Sequence, residues 1–415
     1  MCKSTKDYQG KKHSLSEIYA KYRSSYLSDP LRKLKIEDKH LEAMRKAEVC
    51  RSLKLGAIYL KCESCGRGRY LYHTCKHRFC SGCGSANTYQ WAEKTLSRLL
   101  EIAHHHIVMT LPLEYRVLSQ LNGNKLHDLL FRSSTAVIQK YFKERYECLP
   151  GVVSVLHTSG SDLKYHPHIH MIVSRGGKKL KGDGYKAIKG TFLVKNEVLA
   201  KRMKEIFNKG LMQLNQEGSL KIPRQIEQRG GLAKWIAGQK KKNWIVNIEK
   251  PLPEVIQIVN YVGRYTKRAC ISEYKIERIE PNIVFRCKDY KNSKRGEKAK
   301  EILKVMTPTE FLDKLLQHVP EKRYRMVRYS GLYNSYYIGK IPEDLRAQVS
   351  KKAIVAQEMA AEEEVEESEL TSMRSYLISN GYKDLLTCRH CGGRMQVVGI
   401  LNKEGELREF NENTS

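Results

Sequence analysis

His166, His168 and His170 recur at a spacing of two in the stretch Tyr165 to Val173, which reads YHPHIHMIV. Residues two apart share one face of an extended strand, so the three imidazoles would stand side by side. Neutral imidazoles converging from one face offer nitrogen lone pairs to a divalent metal. Met171, Ile172 and Val173 follow and suit a buried strand. Packing alone gives no reason for three imidazoles at the head of such a strand.

A second set of reactive residues lies upstream: Cys62-x2-Cys65, then Cys75, then Cys80-x2-Cys83, with His73 and His77 between them. Each CxxC places two thiolates on one tight turn, and four thiolates complete a tetrahedron. The two pairs therefore predict one closed structural Zn²⁺ ribbon. Cys75, His73 and His77 exceed the need of one ion, and either replace a member of that site or build a second. Lys61, Arg67, Arg69, Lys76 and Arg78 surround the cluster and point to DNA contact. Cys388-x2-Cys391, followed by Gly392 and Gly393, is either half a metal site, completed by His390 or a distant cysteine, or an inert surface pair.

Pro251 and Pro253 open a predicted helix running to about Arg268. Val255, Val259 and Val262 form its core stripe. Tyr261 and Tyr265, four apart, stack at the edge of that stripe. Arg264, Lys267 and Arg268 lie close by as phosphate ligands. Two amphipathic tyrosines with wet hydroxyls would look the same. A phenol with a pKa near 10 can attack a phosphodiester if a metal and cations polarise the phosphate. This chain carries all of those parts.

The elements that must position these groups are helices and strands in irregular alternation, an α+β pattern. Helices are predicted in 14–52 and over 88–103, 125–145, 197–216 and 308–318. Strands are predicted at 106–111, 152–156, 243–248, 282–288 and 324–329. The turn at Ser159-Gly160-Ser161 predicts a hairpin between strand 152–156 and the histidine strand. Residues 174–190, basic and glycine-rich, read as a loop, and 291–300 as a basic loop. The acidic run 362–369 reads as a linker or exposed helix. His104, His105 and His106 are expected at the surface or on phosphate.

Lysine and arginine number 75 against 45 acids, a net charge of +30 over 415 residues. A surplus spread along a folded chain points to a polyanion, most simply nucleic acid. Mean hydropathy is −0.55, and no run approaches the roughly 20 apolar residues of a membrane span. The first residues lack a signal peptide's apolar core. A cytoplasmic protein is expected, in which clustered cysteines bind metal rather than pair as disulfides.

His168-Ile169-His170 resembles the His-hydrophobic-His motif of the HUH endonucleases, and Tyr261 with Tyr265 resembles the paired nucleophiles of their two-tyrosine branch. With the N-terminal zinc cluster, His157-Thr158, the segment 261–268 and Arg328 to Leu332, the chain resembles the rolling-circle transposases of the insertion sequence 91 family, over nearly its full length. The resemblance implies an HUH core, a central antiparallel sheet flanked by helices, behind a small zinc-ribbon-like domain. It implies Mg²⁺ or Mn²⁺ on His168 and His170 with a third ligand: His157 is favoured, His166 and Asp162 being alternatives. One tyrosine would take the single-stranded element end as a 5′-phosphotyrosine, and the second would serve the partner cleavage or transfer to target DNA.

Three regions are expected: 1–100 helical, zinc-binding and DNA-binding; 101–335 catalytic; 336–415 the acidic linker and last knuckle. A bacterial transposase is the first reading. A rolling-circle replication initiator with the same chemistry, or a non-catalytic zinc-dependent nucleic-acid binder, are the competing ones.

Overall fold

The computed structural model describes residues 13–190, 193–239, 242, 244–251, 270–290, 292, 299–346 and 386–410, apart from the side chains of 84–90, 93 and 343. The expected helix carrying Tyr261, Arg264, Tyr265, Lys267 and Arg268 lies outside these residues, as does the acidic run.

The chain opens with α1 (Leu15–Ser28), α2 (Pro30–Lys33) and α3 (Asp38–Glu48). Ser14 caps α1 in a capping box with Glu17, satisfying amide donors that the first turn cannot. A hairpin follows, β1 (Ala57–Cys62) and β2 (Gly68–Tyr72). Helix α4 (Ser81–Leu96) starts inside the second CxxC, earlier than expected, because the knuckle runs straight into its first turn.

Next come β3 (His104–Thr110), the long α5 (Arg116–Tyr146), β4 (Cys148–Ser159), β5 (Tyr165–Lys179) and β6 (Tyr185–Ala187). Helix α5 kinks at Gly123, which has a non-helical backbone (φ 37°, ψ −113°), so the predicted span 125–145 is its second limb. Then follow α6 (Asn196–Gln216), α7 (Arg224–Gln228), α8 (Gly231–Gly238), β7 (Ile245–Ile248), β8 (Ile276–Arg278), β9 (Ile283–Lys288), β10 (Glu301–Met306), α9 (Pro308–Leu316), β11 (Val327–Gly331), α10 (Ser335–Ile338), β12 (Met395–Leu401) and β13 (Leu407–Glu409).

The central sheet has the order β11-β4-β5-β3-β7, with β6 on the outer part of β5, and every pairing is antiparallel. The architecture is α+β. One face of the sheet packs on α5 and α6: Ile107, Met109, Val152, Leu156, Ile169, Met171 and Val173 meet Leu130, Phe142, Met203 and Phe207. Helix α6 buries Leu199, Met203, Phe207 and Leu211, a strict four-residue step on one side. The other face meets Trp91 and Leu96 of α4, with Val153, Val155, Ile172 and Tyr333.

The segment 174–190 is not a loop. Strand β5 continues through Lys179 and takes β6 as a neighbour. Its glycines serve close packing rather than a turn. A Cβ on Gly177 would sit 1.8 Å from the Leu149 carbonyl oxygen, and one on Gly176 2.0 Å from that of Lys186.

Neither the first nor the last described segment is self-contained. Leu15, Ile18, Tyr19 and Met44 of α1 and α3 share a core with Ile283, Phe285, Phe311 and Leu315, because the apolar stripe of α9 is what covers them. Of the region 336–415, Tyr337, Ile338 and Ile341 pack against the central sheet, whereas 386–410 joins the opposite end: β12 pairs with β1, giving a four-stranded sheet β13-β12-β1-β2.

Candidate functional site

Strand alternation delivers the histidines. On β5, odd positions 169, 171 and 173 enter the core against α5 and α6, so His166, His168 and His170 stand on the opposite face. Antiparallel pairing sets His157 of β4 directly across from His168. One ring nitrogen each from His157, His168 and His170 then lies within 4.8 Å of the others, and His157 Nδ1 is 3.2 Å from His168 Nε2. Neighbouring nitrogens on a metal at roughly 2.1 Å stand about 3 Å apart.

The surroundings bear on which nitrogen of each ring carries its proton. His168 Nδ1 donates to the His166 carbonyl oxygen (2.6 Å), leaving its Nε2 a lone pair. His157 Nε2 lies 3.1 Å from Ser159 Oγ, a hydroxyl that accepts the Nε2 proton when Nδ1 faces a cation. His170 Nδ1 bonds His106 Nε2 (2.9 Å), and His106 Nδ1 meets Glu249 Oε2 (2.9 Å). The Glu249 carboxylate favours a proton on His106 Nδ1; His106 Nε2 then accepts from His170 Nδ1, and the lone pair of His170 is Nε2. Outer hydrogen bonds of this kind orient metal-binding imidazoles and set their tautomers.

Burial keeps the rings neutral. It holds His157 and His170 well below the ordinary histidine range, helped by the neighbouring imidazoles. Burial likewise lowers His168 to about 4, although its bond to the His166 carbonyl works the other way. Three neutral rings with converging lone pairs suit a transition-metal cation.

His166 and Asp162 lie outside this group. His166 faces the Arg116 guanidinium, and burial takes it to about 3. Asp162 pairs with Lys164 (3.0 Å) and Lys304 (3.3 Å).

His104, His105 and His106 are neither surface residues nor phosphate contacts. They are 0–2% exposed, since β3 is an inner strand between β5 and β7. His104 bonds the Tyr333 hydroxyl (2.6 Å), and His105 meets Arg175 Nη1 (2.8 Å). His106 and Glu249 stand behind His170, a placement that periodicity alone does not reveal because it depends on the register of β7 against β3.

The cysteines divide differently from the single ribbon that spacing predicts. Cys80 and Cys83 meet Cys75 and Cys50, at the end of α3. Cys62 and Cys65 meet Cys388 and Cys391 instead. His73 lies in neither group; its backbone pairs with Gly56 and Arg51. Arithmetic hints at this outcome: the five cysteines of 62–83 overfill one tetrahedron, and adding Cys50, Cys388 and Cys391 makes eight, enough for two.

In the first group Cys50 Sγ is 3.5 Å and Cys75 Sγ 3.6 Å from Cys83 Sγ. A zinc–sulfur distance of about 2.3 Å implies tetrahedral edges of about 3.8 Å. Hydrogen bonds from the three neighbouring thiols push Cys83 far below the ordinary thiol range. Four sulfurs this close cannot all be anionic without a cation to offset them, so the donor set fits Zn²⁺. Of the basic residues around the cluster, Arg78 is structural: it donates to the Tyr324 carbonyl (2.7 Å). Arg328 is also structural, lying over the Phe131 ring and paired with Asp128.

No described helix is long and apolar enough to cross a membrane. Residues 151–369 match the family model described as "Putative transposase", and residues 18–111 match "Transposase zinc-binding domain". The chain is 29% identical over 331 residues to "Putative transposase y4qJ" of Sinorhizobium fredii, covering 78% of this chain and 81% of that protein. It is 28% identical over 322 residues to "Transposase for insertion sequence element IS801" of Pseudomonas savastanoi pv. phaseolicola, covering 75% of each. No solved structure matches.

Proposed function

Because the chain belongs to the insertion sequence 91 family of transposases, we propose that it cuts and rejoins single-stranded DNA at element ends through a tyrosine-linked intermediate. The observation that carries this reading is the convergence of one ring nitrogen each from His157, His168 and His170 within 4.8 Å, with His157 Nδ1 3.2 Å from His168 Nε2. Mn²⁺ or Mg²⁺ there would polarise a phosphodiester oxygen; three nitrogen donors favour Mn²⁺, since Mg²⁺ prefers oxygen.

The phenol of Tyr261 or Tyr265 attacks phosphorus, and the bond from phosphorus to the 3′ oxygen breaks. The tyrosine proton ends on the departing 3′ hydroxyl, and the 5′ phosphate remains esterified to the tyrosine. Attack by a target 3′ hydroxyl reverses the exchange and joins the strands. Arg116, beside His166, adds positive charge near the histidine row, and Arg264, Lys267 and Arg268 are assigned to phosphate. A net charge of +30 supplies the attraction to DNA. The two relatives are named "Putative transposase y4qJ" and "Transposase for insertion sequence element IS801", which favours transposition over replication initiation; joining of a cut end to an unrelated strand separates the two.

Labelled oligonucleotides spanning candidate element ends, incubated with the protein and Mn²⁺ and run on a denaturing gel, test the reading. A protease-sensitive shifted band is expected, lost in Tyr261→Phe plus Tyr265→Phe and in His168→Ala. An adduct that survives the double tyrosine variant rules out these nucleophiles.

A further inference from the structure

We propose that Cys62, Cys65, Cys388 and Cys391 are the four thiolate ligands of a second Zn²⁺, which latches the C-terminal strands onto the N-terminal hairpin. Cys388 and Cys391 lie beyond both matched family segments, 18–111 and 151–369.

The first observation is convergence over a great sequence distance. Cys62 Sγ is 3.5 Å from Cys391 Sγ, and Cys65 Sγ is 3.7 Å from Cys388 Sγ, across 329 and 323 residues. All four sulfurs lie within 4.8 Å of one another. These separations exceed a disulfide bond of about 2.05 Å and approach the tetrahedral edge of about 3.8 Å.

The second is that the two CxxC turns have the same backbone design. Gly66 follows the first pair with φ 70°, and its N–H donates to the Cys62 carbonyl at 3.0 Å. Gly392 follows the second with φ 75°, and its N–H donates to the Cys388 carbonyl at 2.9 Å. A left-handed backbone at that position suits glycine. Two matched knuckles facing each other are the two halves of a four-thiolate site.

The third is that the sheet has a small core among the described residues. Its core has five buried residues, Ile58, Leu60, Cys62, Cys388 and Met395, with Leu71, Leu386 and Val397 partly buried. A core this small ordinarily needs a metal or disulfide staple. The ion would sit beside the β1–β12 pairing, where Met395 meets Cys62. Binding displaces the four thiol protons and leaves a centre of charge −2. Lys61, Arg67, Arg69, Arg389 and Arg394 supply compensating charge nearby in sequence.

The test is a metal count on the full chain by native mass spectrometry and elemental analysis. The wild type should carry at least two zinc ions. Cys388→Ser plus Cys391→Ser should lose one, and Cys75→Ser plus Cys80→Ser should lose another. The first variant should also expose 386–410 to trypsin at least tenfold faster. Fewer than two zinc ions in the wild type, an unchanged count in the Cys388/Cys391 variant, or iron in place of zinc would overturn the proposal. So would a wild-type mass about 2 Da lower per bridge under non-reducing conditions, which means disulfides. The wild-type count needs no variant to fold, and none of these readouts depends on DNA cleavage.

Discussion

Replacing Glu249 by Gln should weaken metal binding at the histidine triad although Glu249 is no ligand. The carboxylate lies 2.9 Å from His106 Nδ1, and His106 Nε2 lies 2.9 Å from His170 Nδ1. Negative charge at the far end of this chain makes His170 a stronger donor and holds its ring plane. Outer-shell substitutions of this type typically cost 10–100-fold in metal affinity. The Glu249 side chain is 43% exposed, so solvent screens its charge and glutamine keeps an acceptor. That places Glu249→Gln near the low end, about tenfold. His106→Ala removes a ring 2% exposed and leaves the His170 donor facing a cavity. It belongs near about 100-fold, roughly 2.7 kcal/mol. The assay is titration of Mn²⁺ into the zinc-loaded chain, following unbound Mn²⁺ by electron paramagnetic resonance. Adduct formation is followed in parallel and should return in Glu249→Gln at saturating Mn²⁺. If both variants bind Mn²⁺ within twofold of wild type, with unchanged zinc content and unfolding midpoint, the relay does not position His170.

Cys50→Ser should remove one ligand from the first zinc group. A quarter of the roughly 10–16 kcal/mol of a structural zinc is about 3 kcal/mol, or about 100-fold in affinity. Competition with a chromophoric chelator reads this directly, and an unchanged zinc affinity would show that Cys50 is a bystander. Stability should also fall in mild acid. Burial lowers His104, His127 and His318 each to about 4, whereas an unfolded histidine titrates near 6.5. Between those values the unfolded chain binds more protons. The contribution is therefore complete above about pH 6.5 and is lost as pH falls toward 4, by up to about 3 kcal/mol per ring. Urea midpoints at pH 7.5, 5.5 and 4.5 should decline in that order, and a flat profile would refute the account.

The strand and knuckle geometries were legible because they are local. The alternation of β5 puts His166, His168 and His170 on one face whatever lies opposite, and the turn after Ser159 makes β4 its neighbour. The four-residue step of α6 marks its buried side equally well. The glycines at 176 and 177 misled, since glycine permits a loop and a close strand crossing alike. The triple histidine 104–106 misled because polarity suggests solvent, whereas hydrogen-bond partners from Tyr333, Arg175 and the Glu249 carbonyl make burial tolerable.

By itself, the sequence determined the chemistry on offer: imidazoles in register, thiols in knuckles, and an excess of positive charge. A pleat or a tight turn is settled by the dihedral angles of a few neighbouring residues. Only the tertiary structure decided who meets whom. It sent Cys62 and Cys65 to Cys388 and Cys391, brought Cys50 to Cys75, Cys80 and Cys83, and placed Glu249 and His106 behind His170. Those choices depend on which apolar faces cover one another across hundreds of residues, and no local spacing encodes that competition.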